Sequence, residues 1–347
     1  MAERLQINGE NIAPNSSVTL ELKLPALYTR TPMTMPVKIR RGKRSGPCLF
    51  VCAAVHGDEL NGIEIIRRLM KRRALSRIRG TLIAVPMVNV YGVIDRSRYL
   101  PDRRDLNRSF PGSVRGSLAS RLADLFMTEI VSHCTHGIDL HTGALHRGNL
   151  PQLRGNLDDE ETLRLAQLFG VPVLINADLR DGSLREAAAS RGIPMLLYEA
   201  GEALRFDELC IRAGVQGILN VMRGLGMLPP VRSRKRKMRE PFVARSSTWV
   251  RAPASGIFLG TVMLGAYVKK DERLGTIAES AGDSESEVRA TRGGIVIGRS
   301  SLPIVLEGEA LYHIASFEDV REVADQVEEF QTHHEEAIES DNTPTIV

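Results

Sequence analysis

The sequence predicts an α/β domain built on a mixed, largely parallel sheet flanked by helices, followed by a small C-terminal all-β module. Three observations carry this. Apolar runs of strand length alternate with helical segments over roughly 200 residues, the pattern of strands joined by crossover helices. Central runs such as Pro47–Val55 (PCLFVCAAV) are near-continuously apolar, as strands buried on both faces are. From Trp249 to Ser316 the texture changes to short, glycine-rich β segments with an internal repeat.

In chain order, Val18–Leu24 and Pro36–Ile39 read as short strands and Pro47–Val55 as a buried one. The turn HGDELNG follows, and Ile63, Ile65, Ile66 and Leu69 then mark a helical face beginning near Asn61. Gly80–Val88 is a second buried strand, Leu118–Val131 a helix, Gly137–His141 a short strand and Glu160–Phe169 a helix. Val171–Asn176, Ser183–Arg191, Met195–Glu199 and Glu208–Leu225 continue as strand, helix, strand, helix. Residues 1–227 thus form one domain and residues 228–248 a basic linker. The run Arg232–Arg239 could meet a polyanion, but no aromatic residues are interleaved with it, so a solvated linker is favoured over a nucleic-acid patch. Residues 249–316 form the β module. Within it Val250-Arg251-Ala252 and Gly256-Ile257 return as Val288-Arg289-Ala290 and Gly294-Ile295, and Val268–Ile277 returns as Val305–Ile314. The duplication resembles the biotinyl/lipoyl barrel-sandwich fold, but the hairpin AESAGDSESE lacks the lysine a carrier needs, so a structural or oligomerising role is expected. The acidic stretch 317–347 reads as a short surface helix that frays.

Composition narrows the function. With 43% hydrophobic and 25% charged residues among 347, the chain is not disordered. No run approaches the roughly 18 apolar residues of a membrane span, and no apolar segment near the start marks a secretory signal. Cys48, Cys52, Cys134 and Cys210 form no CxxC pair, so reduced thiols and a cytoplasmic address are expected. The net charge of +4 hides an asymmetry: Phe317–Val347 holds ten acids and one base, leaving 45 bases and 32 acids elsewhere. A body that basic favours an anionic partner, whether a small carboxylate or a polyanion.

Four clusters could carry chemistry. His56-Gly57-Asp58-Glu59 sits directly after a buried strand, and its H-x-x-E spacing can bring an imidazole and a carboxylate to one metal ion. In Asp139-Leu140-His141 the first and third residues share a strand face. A catalytic zinc takes three protein ligands and keeps one position for water, so His56, Glu59 and His141 would complete a His₂Glu set. A hydrogen-bonded core histidine is the competing reading of His141. His133 and His136 compete as ligands but read as solvated residues at a helix end. The loop SRYLPDRRDLNRSFPG carries Asp105, Asn107 and Arg108, and a guanidinium there can grip a carboxylate through two parallel hydrogen bonds. Glu199 closes the apolar strand IPMLLYE and is a candidate general base.

Taken together and in this order, roughly from Cys48 to Gly201, the four clusters resemble the succinylglutamate desuccinylase/aspartoacylase family, relatives of the zinc carboxypeptidases. The resemblance implies a zinc-carboxypeptidase-like sheet and one Zn²⁺ per chain on His56, Glu59 and His141. It implies that Asn107 and Arg108 bind a substrate carboxylate, that Asp105 supports His56, and that Glu199 is the general base. An arginine upstream of the Asn-Arg pair would polarise the scissile carbonyl. Arg98, Arg103 and Arg104 are candidates, with Arg98 preferred. Asp139 is expected to support His141. The wording DLHTG departs from that typical of aspartoacylases, so their substrate selectivity is not carried over. The expected activity is zinc-dependent hydrolysis of the amide bond of a small anionic N-acyl amino acid. The alternatives are a carboxypeptidase trimming C-terminal acidic residues and a non-catalytic zinc-scaffold binding protein. No membrane or nucleic-acid partner is expected, and a homo-oligomer is.

Overall fold

The computed structural model describes residues 5–230, 241–244, 246–282, 284–317 and 320–340. An antiparallel ribbon of β1 (Leu5–Ile7) and β2 (Glu10–Ile12) leads into β3 (Ser16–Leu24) and β4 (Met33–Arg41). Next come β5 (Cys48–Ala53), α1 (Asn61–Met70), β6 (Thr81–Val85), α2 (Val90–Asp95), α3 (Leu118–Glu129) and β7 (His136–Gly143). Then follow β8 (Arg147–Gly155), α4 (Glu160–Phe169), β9 (Val173–Asn176), α5 (Leu184–Ala189), β10 (Met195–Glu202) and α6 (Glu208–Gly224). β6, β5, β7 and β10 lie side by side and parallel, while β4 joins antiparallel at one edge and β8 at the other.

The near-continuous apolar run of β5 follows from its two covered faces. Leu49, Val51 and Ala53 pack with residues of α1, α4 and α6, while Phe50 and Cys52 pack with those of α3 and α5. Successive strand residues point to opposite faces, so burying both requires both sets to be apolar. The helices begin where side chains can accept from their orphan N–H groups. Ser117, Asp159, Ser183 and Asp207 cap α3, α4, α5 and α6 in this way.

An ion network ties α1 to α6. Both oxygens of the Glu208 carboxylate accept from Arg68, at 2.6 and 2.8 Å, and Arg68 also donates to Glu64 at 2.6 Å. Glu64 and Glu208 are each held below the ordinary carboxylate value of 4.5. For Glu64 the main cause is Arg67; for Glu208 burial acts upward but is outweighed by Arg68 and Arg212. A depressed carboxylate stabilises the fold above its unfolded pKa, and that stability is lost as pH falls through the folded value. Arg68→Ala is expected to cost about 2 kcal/mol at neutral pH, since it leaves Glu208 with Arg212 alone and Glu64 with Arg67 alone and removes the link between the two helices. Urea titrations at neutral pH and near pH 3.5 check this, and the gap between variant and parent should shrink at the lower pH.

The C-terminal region holds β11 (Phe242–Ala244), β12 (Ser246–Arg251), β13 (Gly256–Gly260), β14 (Tyr267–Val268) and β15 (Arg273–Ala278). These are followed by β16 (Glu285–Arg289), β17 (Gly294–Ser300), β18 (Ile304–Val305), β19 (Ala310–Ser316) and α7 (Val320–Ser340). The sequence repeat maps strand onto strand: β12 to β15 on β16 to β19. Each half lends its short strand to the other, β18 pairing with β13 and β14 with β17. The pairs β15–β16 and β19–β12 close the exchange. The two halves differ in one respect. β17 is longer and continues onto β8, which makes its sheet an extension of the central one.

Three features depart from the sequence reading. The basic run Arg232–Arg239 lies outside the described residues, but Phe242–Ala244, in the stretch read as linker, is a strand parallel to β9. The acidic segment is not a short surface helix: α7 spans 21 residues and buries Val323 and Val327, which share one face at i and i+4. His136 is not at a helix end but opens β7, half-buried with its Nε2 3.3 Å from Glu161, because a short 3₁₀ turn at Val131–His133 terminates the preceding helix. Among the described residues no helix is long and apolar enough to cross a membrane.

Candidate metal centre and its cavity

The polar clusters converge at the carboxyl ends of β5, β7 and β10, where open α/β sheets place their sites. The turn after β5 is shaped by Gly57. A Cβ built there would lie 1.9 Å from the carbonyl carbon of Gly92, so only hydrogen fits between the turn and α2. Gly57→Ala must displace one backbone from the other and is expected to cost about 2–3 kcal/mol, read as a lower midpoint of urea denaturation.

Glu59 is the hub. Its Oε1 lies 2.7 Å from His56 Nδ1 and its Oε2 2.7 Å from His141 Nδ1, and Oε2 also accepts from the Thr142 N–H at 3.1 Å. The far nitrogen of each imidazole is held in turn: His56 Nε2 lies 3.1 Å from Asp105 Oδ1, and His141 Nε2 lies 2.7 Å from Asp139 Oδ2. Asp139 keeps its other oxygen 3.2 Å from the Cys52 thiol, which burial and this carboxylate push up. All three of His56, Glu59 and His141 are buried, and one ligand atom from each lies within 4.8 Å of the others. Burial acts upward on Glu59 but is outweighed by His56 and His141, which hold its carboxyl far below the ordinary range. Burial acts downward on both imidazoles, yet Glu59 with Asp105 raises His56, and Asp139 with Glu59 raises His141.

This arrangement fits a divalent ion such as zinc. Two imidazoles and a carboxylate are a donor set that zinc takes, and both rings turn the same atom, Nδ1, toward the shared centre. A carboxylate behind each Nε2 fixes the ring and its tautomer, as metal-bound histidines require.

Strand register carries the site sideways. β10 sets Glu199 beside His141 and Leu197 beside Asp139, and β8 sets Gln152 beside Glu199 and Arg154 beside Leu197. The Glu199 carboxylate, partly exposed, lies 2.5 Å from Arg154 Nε. Arg98 donates to Glu59 at 3.4 Å and to Asp105 at 3.1 Å. Arg103 and Arg104 are exposed, and neither lines the cavity. Asp105 also accepts from the Asn107 N–H at 2.8 Å, and the Asn107 side-chain oxygen accepts from the Leu184 N–H at 2.9 Å at the start of α5. Arg108 donates to the Asn107 carbonyl at 2.5 Å with its side chain on the cavity wall.

The cavity has a volume of about 530 Å³ and includes residues the sequence reading did not reach. Arg147, Asn149 and Arg154 come from β8, Arg185 from α5, Trp249 from β12 and His313 from β19. Trp249 meets two of these side chains: the Arg147 guanidinium sits 4.7 Å from its ring centre, and the His313 imidazole stacks at 4.4 Å and 10°. Burial, with Arg154 and Arg147 nearby, lowers the His313 pKa to about 3, so the ring is neutral at pH 7. Its Nδ1 has no hydrogen-bond partner among the described residues. The signals that could have pointed here were weak: polar residues spaced along Arg147–Arg154, and the single tryptophan of the chain.

Comparison with known proteins agrees with this geometry. Residues 45–225 match the model of the succinylglutamate desuccinylase/aspartoacylase catalytic domain. The chain is 28% identical over 291 residues to the N-α-acetyl-L-2,4-diaminobutyric acid deacetylase of Halomonas elongata, covering 80% of this chain and 84% of that enzyme. The crystal structure of a succinylglutamate desuccinylase/aspartoacylase from Rhodobacter sphaeroides superposes with a TM-score of 0.77 at 25% identity, over 87% of this chain and 96% of that one. The product-bound ectoine utilization protein EutE (DoeB) from Ruegeria pomeroyi does so with a TM-score of 0.77 at 24% identity, over 86% and 95%. More than half of the sequence matches the catalytic-domain model, and that stretch contains His56, Glu59, His141 and Glu199: the chain belongs to the succinylglutamate desuccinylase/aspartoacylase family.

Proposed function

We propose that this protein is a zinc-dependent hydrolase that cleaves the amide bond of a small anionic N-acyl amino acid. The observation that carries the reading is the buried His56–Glu59–His141 group, braced by Asp105 and Asp139, at the wall of a cavity that also holds Glu199 and Arg108. The likeness to a deacetylase of an N-acetylated amino acid supports it. His56, Glu59 and His141 hold the ion, which when bound supplies a Lewis acid and lowers the pKa of water toward about 7.

The remaining chemistry falls to the chain's own residues. Arg108, with Asn107 beside it, grips the substrate carboxylate and fixes where the scissile bond lies. Glu199, one strand from His141, takes a proton from water as the water oxygen adds to the acyl carbon. It then delivers that proton to the amine nitrogen as the C–N bond breaks. Arg98 steadies the negative charge that develops on the acyl oxygen, a role worth about 3–4 kcal/mol. Arg154 holds Glu199 in place until substrate arrives. The β module of residues 249–316 serves as a wall of the cavity through Trp249 and His313.

The test is release of free amine by zinc-loaded protein from N-acetyl and N-succinyl amino acids, set beside peptides ending in Glu or Asp. Turnover of acylated amino acids that is lost on chelation and restored by zinc is the expected result. Turnover of the peptides alone would replace the deacylase with a carboxypeptidase. Silence across the panel with zinc bound would leave the non-catalytic scaffold.

A further inference from the structure

A second cavity, of about 980 Å³, opens at the opposite end of the sheet, around the loop that enters β5. β5 alone separates the two ends by roughly 20 Å, six residues at ~3.3 Å each. Seven basic side chains line it, together with apolar residues including Leu75, Ile78, Met227 and Leu228. Among the described residues no carboxylate, histidine or cysteine does.

The walls are tied together through the backbone. The Gly42 N–H donates to the Gly80 carbonyl at 2.8 Å, the Gly80 N–H to the Arg44 carbonyl at 2.9 Å, and the Arg79 N–H to the Met227 carbonyl at 2.8 Å. Gly80 holds φ at +76°, and a Cβ there would meet the Pro47 carbonyl oxygen at 2.1 Å. The frame that presents the charges is therefore closely interlocked. Among the described residues none of Arg40, Lys43, Arg44, Arg77, Arg79 and Arg223 has a carboxylate partner. Gathering these six like charges raises the energy of the folded chain, and an anion in the cavity lowers that cost.

We propose that this cavity binds a small polyphosphorylated ligand, held by Arg40, Lys43, Arg44, Arg77, Arg79 and Arg223. A guanidinium presents parallel donors that match two phosphate oxygens, and several such groups around one space demand several negative charges close together. The volume lies at the upper end of the range for small-molecule sites, about 300–1,000 Å³. The absence of an aromatic side chain from the lining, among the described residues, removes the platform on which single-stranded nucleic acid stacks. With no carboxylate, histidine or thiol among the described lining residues, the site binds rather than reacts.

Titration calorimetry of the full chain with inorganic tripolyphosphate at low salt tests this. Saturable binding at a single site is expected, stronger than that of orthophosphate and weakened at least tenfold by Arg44→Glu combined with Arg77→Glu. Both side chains are exposed, so folding should survive; the Arg44→Gln single variant, with a smaller loss, provides the check if it does not. Binding that the charge reversal leaves unchanged, or no saturable heat at all, overturns the proposal. So does retention by a 20-base-pair DNA duplex or by phosphatidylserine vesicles without tripolyphosphate binding, which would mark a macromolecular surface. Hydrolysis is not the readout, so this result is independent of the function proposed above.

Discussion

Glu199→Gln should lower turnover of an N-acyl amino acid by about 10²–10⁴-fold while the protein keeps its metal. The expectation rests on position. Glu199 lies next to His141 across the β7–β10 pairing and lines the same cavity, but is not among the three grouped residues. Glutamine preserves the shape beside Arg154, yet it cannot take up a proton. Steady-state kinetics beside elemental analysis of the same preparation separates the two properties. A variant that loses its metal would make Glu199 structural. One that keeps full activity would move the proton transfer to another group.

The second large effect concerns the hub. Glu59→Ala is expected to leave the protein unable to retain zinc through dialysis and without measurable turnover. It removes the buried partner of both imidazoles and, on the proposed function, one of three metal ligands. Asp139→Asn should be milder, weakening zinc affinity by about 10–100-fold, because the asparagine carbonyl can still accept from His141 Nε2 but no longer makes the ring as basic. Competition with a chromogenic chelator measures both. Equal losses in the two variants would contradict the division between ligand and support.

How far this was legible in the sequence follows from what each segment buries. β5, β7 and β10 were readable because both their faces pack against helices, leaving apolar runs. β8 was not. Its residues Arg147, Asn149 and Arg154 face the cavity, and Pro151 interrupts the run, so neither period nor hydrophobicity marks RGNLPQLRG as a strand. The grouping of His56, Glu59 and His141 was readable because each follows or ends an apolar strand within a short motif. Trp249 and His313 had no such signature. They meet by cross-strand pairing of β12 with β19, residues 64 positions apart, and nothing local foretells that register. In α7 the acids are as numerous as the apolar residues, but Val323, Val327 and Phe330 recur at helical spacing and pack inward.

The continuation of β8 onto β17 has a consequence in time. The metal group is complete once His141 has been made, but the cavity wall waits for His313, 172 residues later. At roughly 5–20 residues per second, synthesis takes on the order of ten to thirty seconds to cover that distance. Through that interval the three grouped side chains of a nascent chain face an unfinished chamber, with part of the β8 edge still waiting for its last neighbour.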